Sequence, residues 1–316
     1  MSKRALVFPG QGSQAVGMAS ALTESFAAAR EVWEEVNDAL GEKLSLLVAG
    51  GPIETLTLTE NAQPALLATS VAVMRVLEQE GGFNLSTKAL FVAGHSLGEY
   101  SALTASRAFG LADAVRLVRR RGLAMQAAVP VGTGAMVAVL GIELEAAESI
   151  AKAASEATGE VCAAANDNGG GQLVLSGHKD AIDRAIAIAA ERGFKRAIPL
   201  PVSAPFHSPL MQPAADVMAE VLGTTTIGVP LVPVIANVTA APVRDPETIR
   251  RLLVEQVTGV VRWRESVLHM KAEGVEELIE IGAGKVLAGL TRRIDKELAT
   301  QSVGTPADVE AFLKTL

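Results

Sequence analysis

At 316 residues, with 49% hydrophobic and 20% charged residues, the chain can bury substantial cores and is far from the composition of a disordered protein. A formal net charge of -7 argues against a protein whose main work is gripping nucleic acid, because displacing phosphate counterions rewards a basic face. Cys162 is the only cysteine, so no intramolecular disulfide can form, and no CxxC pair points to zinc or another metal. A reducing, cytoplasmic setting is expected. The opening MSKRALVFPGQGSQ turns to Pro and Gly before any apolar segment of signal-peptide length. The longest apolar stretches, such as GAMVAVLGI, fall short of the roughly 20 residues that span a bilayer, so no membrane partner is expected.

In chain order, RALVF at 4–8 reads as a buried parallel strand broken by PGQGSQ. One helix is expected over residues 20–40. NAQPALLATSVAVMRVLEQEGG has apolar positions at helical spacing and stops at a glycine pair. KALFVAG is the next strand, and it leads through a sharp turn into the helix LGEYSALTASR. From about residue 134 to 202 the order becomes strand GAMVAVLGI, helix LEAAESIAKAASEA, strands VCAAAN and GQLVLSG, helix KDAIDRAIAIAAERG and strand RAIPLPV. This β-α-β-β-α-β order is that of a ferredoxin-like unit. LVPVIANV then reads as a strand, residues 246–256 as a helix, and VEELIEIGAGKVLAGLTRRI as strand, Gly-rich turn and helix. A last strand and helix fit ATQSVGTPADVEAFLKTL.

The candidate chemistry centres on Ser96 in Gly94-His95-Ser96-Leu97-Gly98. A serine hydroxyl is a poor nucleophile until a base takes its proton. Held at a tight strand-to-helix turn, it projects clear of the backbone, and the following helix supplies amide donors where an oxyanion forms. Gly-x-Ser-x-Gly also occurs in plain loops, and the strand before it and helix after it decide for the functional reading. The base must come from His95, His178, His207 or His269. His95 adjoins the serine but points elsewhere around a tight turn, His178 begins a helix in the ferredoxin-like segment, and His269 falls in the helical ESVLHMKAEG. His207, in PVSAPFHSPLM, sits between prolines where the chain returns from that segment, a place where scaffolds deliver catalytic residues, although a structural histidine fits there equally well.

FPGQGSQ, GHSLGEYSAL, RRRGLAMQ, SAPFHSPLM and IGAGKVLAGL, in that order and with a ferredoxin-like unit between the third and fourth, resemble the malonyl-CoA:acyl carrier protein transacylases over nearly the whole chain. The resemblance implies an α/β protein: an α/β-hydrolase-like large subdomain with a parallel sheet (1–132 and 203–316) and an inserted ferredoxin-like small subdomain (133–202). It implies an acyltransferase that moves the malonyl group of malonyl-CoA to the phosphopantetheine thiol of acyl carrier protein in a ping-pong cycle, supplying extender units for fatty-acid synthesis without a cofactor. It implies Ser96 as nucleophile, His207 as base, backbone amides of Gln11 and Leu97 as the oxyanion hole, and Arg121 as the malonyl-carboxylate ligand. It further implies that Phe206 floors the pocket near the malonyl α-carbon and that Gln256 holds His207 through its carbonyl, in which case no triad acid is needed. The implied form is a monomer, and Lys195, Arg196, Arg292 and Arg293 are candidates for docking the acidic carrier.

Helical phase tests Arg121 independently. In LADAVRLVRRRGLAMQ, Arg120 shares a face with Asp113 and Arg116, whereas Arg121 shares one with Ala114, Leu117 and Ala124. A lone arginine on an apolar face is costly without a partner, and its guanidinium fork fits a carboxylate. An α/β-hydrolase predicts a late histidine preceded by an acid and a His-Gly-Gly-Gly-type loop, and this chain shows neither. A silent docking module has no use for Ser96, His207 and Arg121 together. NDNGGGQLVLSG departs from the family, with three consecutive glycines where relatives often have Ser-Pro-Gly, which leaves the loop shape and any substrate contact by Asn166 open.

Overall fold

The computed structural model describes residues 3–202 and 204–316. Met1, Ser2 and Ser203, the last being the first residue of the expected return segment, lie outside the described residues. Along the chain the strands are β1 (Arg4–Phe8), β2 (Phe91–Gly94), β3 (Gly134–Leu140), β4 (Cys162–Asp167), β5 (Gln172–His178), β6 (Arg196–Pro199), β7 (Val234–Ile235), β8 (Pro242–Val243), β9 (Glu277–Ile281) and β10 (Ala299–Val303).

Six of them form one sheet in the order β10-β9-β1-β2-β7-β8, parallel except for the short β8. β1 lies inside it and is covered on both faces. Leu6 and Phe8 pack into the core under the helices Ala27–Leu40 and Thr59–Gln79, while Ala5 and Val7 pack with Trp263 and Val267 on the other face. That two-sided burial is why RALVF has no polar alternation.

The remaining four strands form an antiparallel sheet, β4-β5-β3-β6, the strand order of a ferredoxin-like unit. Val137 and Val139 of β3 face the helices Leu144–Thr158 and Lys179–Glu191, whereas Met136 and Ala138 face the core of the large sheet. The fold is therefore a hydrolase-like parallel α/β unit, as the resemblance implies, carrying an inserted ferredoxin-like unit, as the element order predicts. β4 has a bulge: Ala164 pairs with Leu175 and Asn166 with Val174, leaving Ala165 unpaired in the ladder. The Ala165 carbonyl instead accepts from Val261 N (2.9 Å), and Val261 O accepts from Asp167 N (2.9 Å), so β4 is joined to the large unit.

Several elements differ from expectation. The helix over 20–40 is two, Ser20–Ser25 and Ala27–Leu40, because Phe26 turns extended (φ -127, ψ 131). LVPVIANV contributes only Val234 and Ile235 to the sheet, since Asn237 leaves it to serve Ser96. The helix Gln212–Thr224, with Pro213 in its first turn and Ala214, Ala215, Met218 and Leu222 buried, was not expected. No helix among the described residues is long and apolar enough to cross a membrane.

Candidate active site

Ser96 stands where β2 ends and the helix Gly98–Ala105 begins. The turn is so close that a Cβ on Gly94 would lie 1.9 Å from the Gly98 carbonyl carbon, and one on Gly98 would lie 2.2 Å from Phe8 O. Ser96 takes φ 53, a left-handed conformation that costs a residue with a side chain and persists where surrounding bonds over-determine it. Asn237 supplies two such bonds, accepting from Ser96 N at Oδ1 and donating from Nδ2 to Gly94 O, each 2.7 Å.

His207, also at positive φ (56), comes from the segment between β6 and the short 3-10 turn Pro209–Met211. Its Nδ1 lies 2.9 Å from Gln256 O and 3.2 Å from Gly259 O. Carbonyls only accept, so Nδ1 carries the proton and Nε2 is left as an acceptor, 2.7 Å from Ser96 Oγ. Burial, then the charges of Arg121 and His95, push His207 down to about 3 against the lift from the two carbonyls. The imidazole is thus a neutral base, and two backbone carbonyls replace the acid of a Ser-His-Asp triad.

Arg121 is 1% exposed, on the apolar side of the helix Leu111–Ala127 as its phase predicts, while Arg116 and Arg120 are exposed. Its Nη1 donates to Gln63 Oε1 (2.8 Å), and its Nη2 to Gln256 Oε1 (2.8 Å) and Ser96 Oγ (3.2 Å). The guanidinium lies over the Tyr100 ring, 5.7 Å from its centre. Among the described residues no carboxylate forms an ion pair with it. Burial lowers its pKa, with Tyr100 and Glu99 opposing, and a guanidinium remains charged in proteins. A buried cation held only by neutral acceptors is a standing site for an anionic group.

These groups meet at a cavity of about 240 Å³. Ser96, His207 and Arg121 form its polar end, and Met125, Met136 and Phe206 lie on its apolar wall. The volume, below the few hundred Å³ usual for ligand pockets, suits a short acyl unit. Gln11 and Leu97 also line it, and Gln11 Oε1 accepts from Thr59 Oγ1 (3.0 Å). Gln256, fully buried, lies behind the lining rather than on it.

The other histidines are otherwise engaged. His95 Nε2 lies 2.8 Å from Asn168 Oδ1, His178 Nδ1 accepts from Val161 N (3.1 Å), and His269 packs edge-on against Phe91. Gly169, Gly170 and Gly171 all take positive φ, and a Cβ on Gly169 would lie 2.3 Å from the Ile294 side chain. The triple glycine thus lets this loop close on the helix Val286–Ile294, next to the Asn168 that meets His95. Asn166 lines the cavity, and its buried Oδ1 has no partner among the described residues. Lys195, Arg196, Arg292 and Arg293 are all exposed. Among the described residues no cluster of three His, Cys, Asp or Glu side chains could hold a metal.

Sequence reasoning missed Gln63, Glu99, Asn237 and Gly259. Only Glu99 carried a signal, as the one charged residue of the helix Gly98–Ala105.

Residues 5–307 match the family model described as acyl transferase domain. The malonyl CoA-acyl carrier protein transacylase of Escherichia coli strain K12 is 47% identical over 315 residues, 99% of this chain and 100% of that protein. The crystal structure of acyl-carrier-protein-S-malonyltransferase from Bartonella henselae matches with TM-score 0.96 at 55% identity, over 99% of each chain. A structure described as a type II PKS acyl-carrier protein in complex with its malonyl-transacylase matches with TM-score 0.95 at 42% identity, over 100% of each chain. With nearly its whole length matched at such identity, the chain belongs to the acyl transferase domain family, among the malonyl CoA-acyl carrier protein transacylases.

Proposed function

We propose that the protein transfers a malonyl group from malonyl-CoA to the phosphopantetheine thiol of acyl carrier protein through a malonyl ester on Ser96. The observation that carries this reading is Arg121: a buried guanidinium 3.2 Å from the nucleophile, in a cavity with an apolar wall, selects an acyl group that ends in a carboxylate. The relatives' names supply the donor and acceptor, and the complex of a related transacylase with its carrier protein supports the partner.

In the first half-reaction the malonyl carboxylate takes the Arg121 fork, and Ser96 Oγ attacks the thioester carbon while its proton passes to His207 Nε2. Backbone amides of Gln11 and Leu97 receive the oxyanion. Collapse breaks the carbon-sulfur bond, and the thiolate of CoA leaves with the proton from His207. In the second, His207 takes the proton of the carrier thiol, the thiolate attacks the ester, and Ser96 leaves as its oxygen is reprotonated. Every electron pair and proton is accounted for, so the cycle calls for no cofactor. Phe206 walls the α-carbon of the acyl group, and the exposed basic pairs Lys195-Arg196 and Arg292-Arg293 are the docking candidates for an acidic carrier. The reading takes residues 133–202 as a subdomain inserted between the catalytic segments 1–132 and 203–316, a monomer as the working form, fatty-acid synthesis as the consumer and the cytoplasm as the compartment. A single cysteine, its thiol pushed by burial up to about 12, suits that reducing setting.

The test is incubation with radiolabelled malonyl-CoA, with and without holo acyl carrier protein. One label per chain, lost in Ser96→Ala and passed to the carrier, is expected. Release of free malonate at a comparable rate without carrier overturns transfer in favour of hydrolysis.

A further inference from the structure

Glu99 is a carboxylate only 2% exposed, in the first turn of the helix Gly98–Ala105, and it is not among the residues that line the cavity. A buried carboxylate is costly unless its lone pairs are filled. Two donors converge on one of its oxygens: Oε2 accepts from the backbone N of Asn237 at 3.0 Å and from Nε2 of Gln256 at 2.8 Å.

Those two residues hold the catalytic parts. Asn237 clamps the strained turn through Ser96 N and Gly94 O. Gln256 reaches four groups: its Nε2 also donates to Ser96 O (3.0 Å), its Oε1 accepts from Arg121, and its backbone carbonyl accepts from His207 Nδ1. A single oxygen therefore ties the residue that fixes the Ser96 amide to the residue that fixes the Ser96 carbonyl, the guanidinium and the imidazole. Without that oxygen, Gln256 Nε2 keeps only its longer bond to Ser96 O, and the Asn237 amide is buried without an acceptor.

We propose that Glu99 is a positioning residue for acyl transfer, whose Oε2 locks Asn237 and Gln256 together and so holds Ser96, Arg121 and His207 in mutual register. The inference rests on the transferase reading for its reaction but on hydrogen-bond geometry for its mechanism. The role needs an oxygen acceptor at this place rather than a negative charge.

The experiment compares wild type, Glu99→Gln, Glu99→Met and Asn237→Ala, with active sites counted by stoichiometric malonylation so that misfolded protein drops out of kcat. Glutamine keeps the acceptor and methionine keeps the bulk without it. Glu99→Met is expected to lose about 10²-fold in kcat per competent site, the scale of a misplacement of about 1 Å in a reacting group, with KM for malonyl-CoA moving less. Glu99→Gln should keep kcat within about tenfold of wild type, the remaining acceptor rescuing most of the loss. Asn237→Ala, which leaves Glu99 in place and cuts the clamp, should fall as Glu99→Met does. Methionine at wild-type kcat, glutamine as poor as methionine, or Asn237→Ala at wild-type kcat each overturns the proposal. If Glu99→Met does not fold, the glutamine and Asn237→Ala results decide. The rate at which a fluorophosphonate modifies Ser96 is measured in parallel and needs no natural substrate. A wild type that reacts with fluorophosphonate but moves no malonyl group defeats the transferase reading alone. A Glu99→Met rate equal to wild type defeats the positioning role alone.

Discussion

Arg121 Nη2 donates to Ser96 Oγ at 3.2 Å while the same oxygen lies 2.7 Å from His207 Nε2. Ser96 Oγ, the proposed nucleophile, is thus shared between an imidazole and a cation, and a hydroxyl that accepts from a guanidinium is a weaker nucleophile. A substrate carboxylate at the guanidinium fork draws that N-H away and leaves Ser96 to His207 alone. Arg121→Ala should therefore lower kcat/KM for malonyl-CoA by about 10 to 100-fold, the worth of a charged hydrogen bond of about 1.5–3 kcal/mol. Acetyl-CoA, which has no carboxylate, should lose less or gain. Equal losses for the two thioesters, measured side by side, would make Arg121 structural.

The pH dependence should look unlike that of an ordinary histidine base. With His207 at about 3 in the folded protein, acylation by malonyl-CoA should show no histidine inflection as pH falls through 6.5 toward 5. An imidazole resonance that titrates near 6.5 in NMR and is missing from His207→Gln would contradict the burial of its imidazole.

In stability, His207 and Glu99 act with opposite signs. Between 6.5 and about 3 the unfolded chain binds a proton at His207 and the folded chain does not, so this contribution is lost as pH falls through that window. Burial pushes Glu99 from 4.5 up to about 7, against the hydrogen bonds from Gln256 and Asn237 and the charge of Arg121. There the folded chain keeps the proton longer, and stability declines as pH rises from 4.5 to 7. In urea titrations, His207→Gln should gain on wild type as pH drops below 6.5, and Glu99→Gln should gain as it rises above 4.5. Parallel curves for a variant and wild type would show that its group does not titrate as described.

Phe206, on the cavity wall beside His207, should exclude a branched acyl group. Phe206→Ser is expected to raise the ratio of methylmalonyl-CoA to malonyl-CoA turnover by about tenfold, within the 1–3 kcal/mol that one methyl group controls. An unchanged ratio places the α-carbon elsewhere.

Gly98→Ala brings a Cβ to 2.2 Å from Phe8 O, a backbone atom that cannot swing aside. A loss of about 1–3 kcal/mol in unfolding free energy is expected, as for overpacking elsewhere, with Ser96 labelling slowed in the molecules that remain folded.

Ser96 was legible because its signal is local: a strand, a glycine-framed turn and a helix are contiguous. Arg121 was legible from helical phase, since one turn of sequence separates the solvated arginines from the buried one. His207 was only half legible, because its base character depends on carbonyls of Gln256 and Gly259 about fifty residues away. Glu99 and Asn237, 138 residues apart, could not be paired at all, since a hydrogen bond from a backbone amide leaves no pattern in residue types. The break at Phe26 was hidden for a related reason: the apolar spacing continues through it while the backbone does not.

Through the unpaired Ala165 the smaller sheet is tied to the larger unit by backbone bonds as well as by the chain crossings. The strand it serves is bonded to Val261, two residues beyond the Gly259 whose carbonyl helps orient His207. Arg264, pairing with Asp167 at 2.8 Å, reinforces the same seam. The smaller sheet is thus stitched to the same short segment that presents one of the two carbonyls facing His207 Nδ1, so the placement of β4 and the orientation of the imidazole share a backbone support.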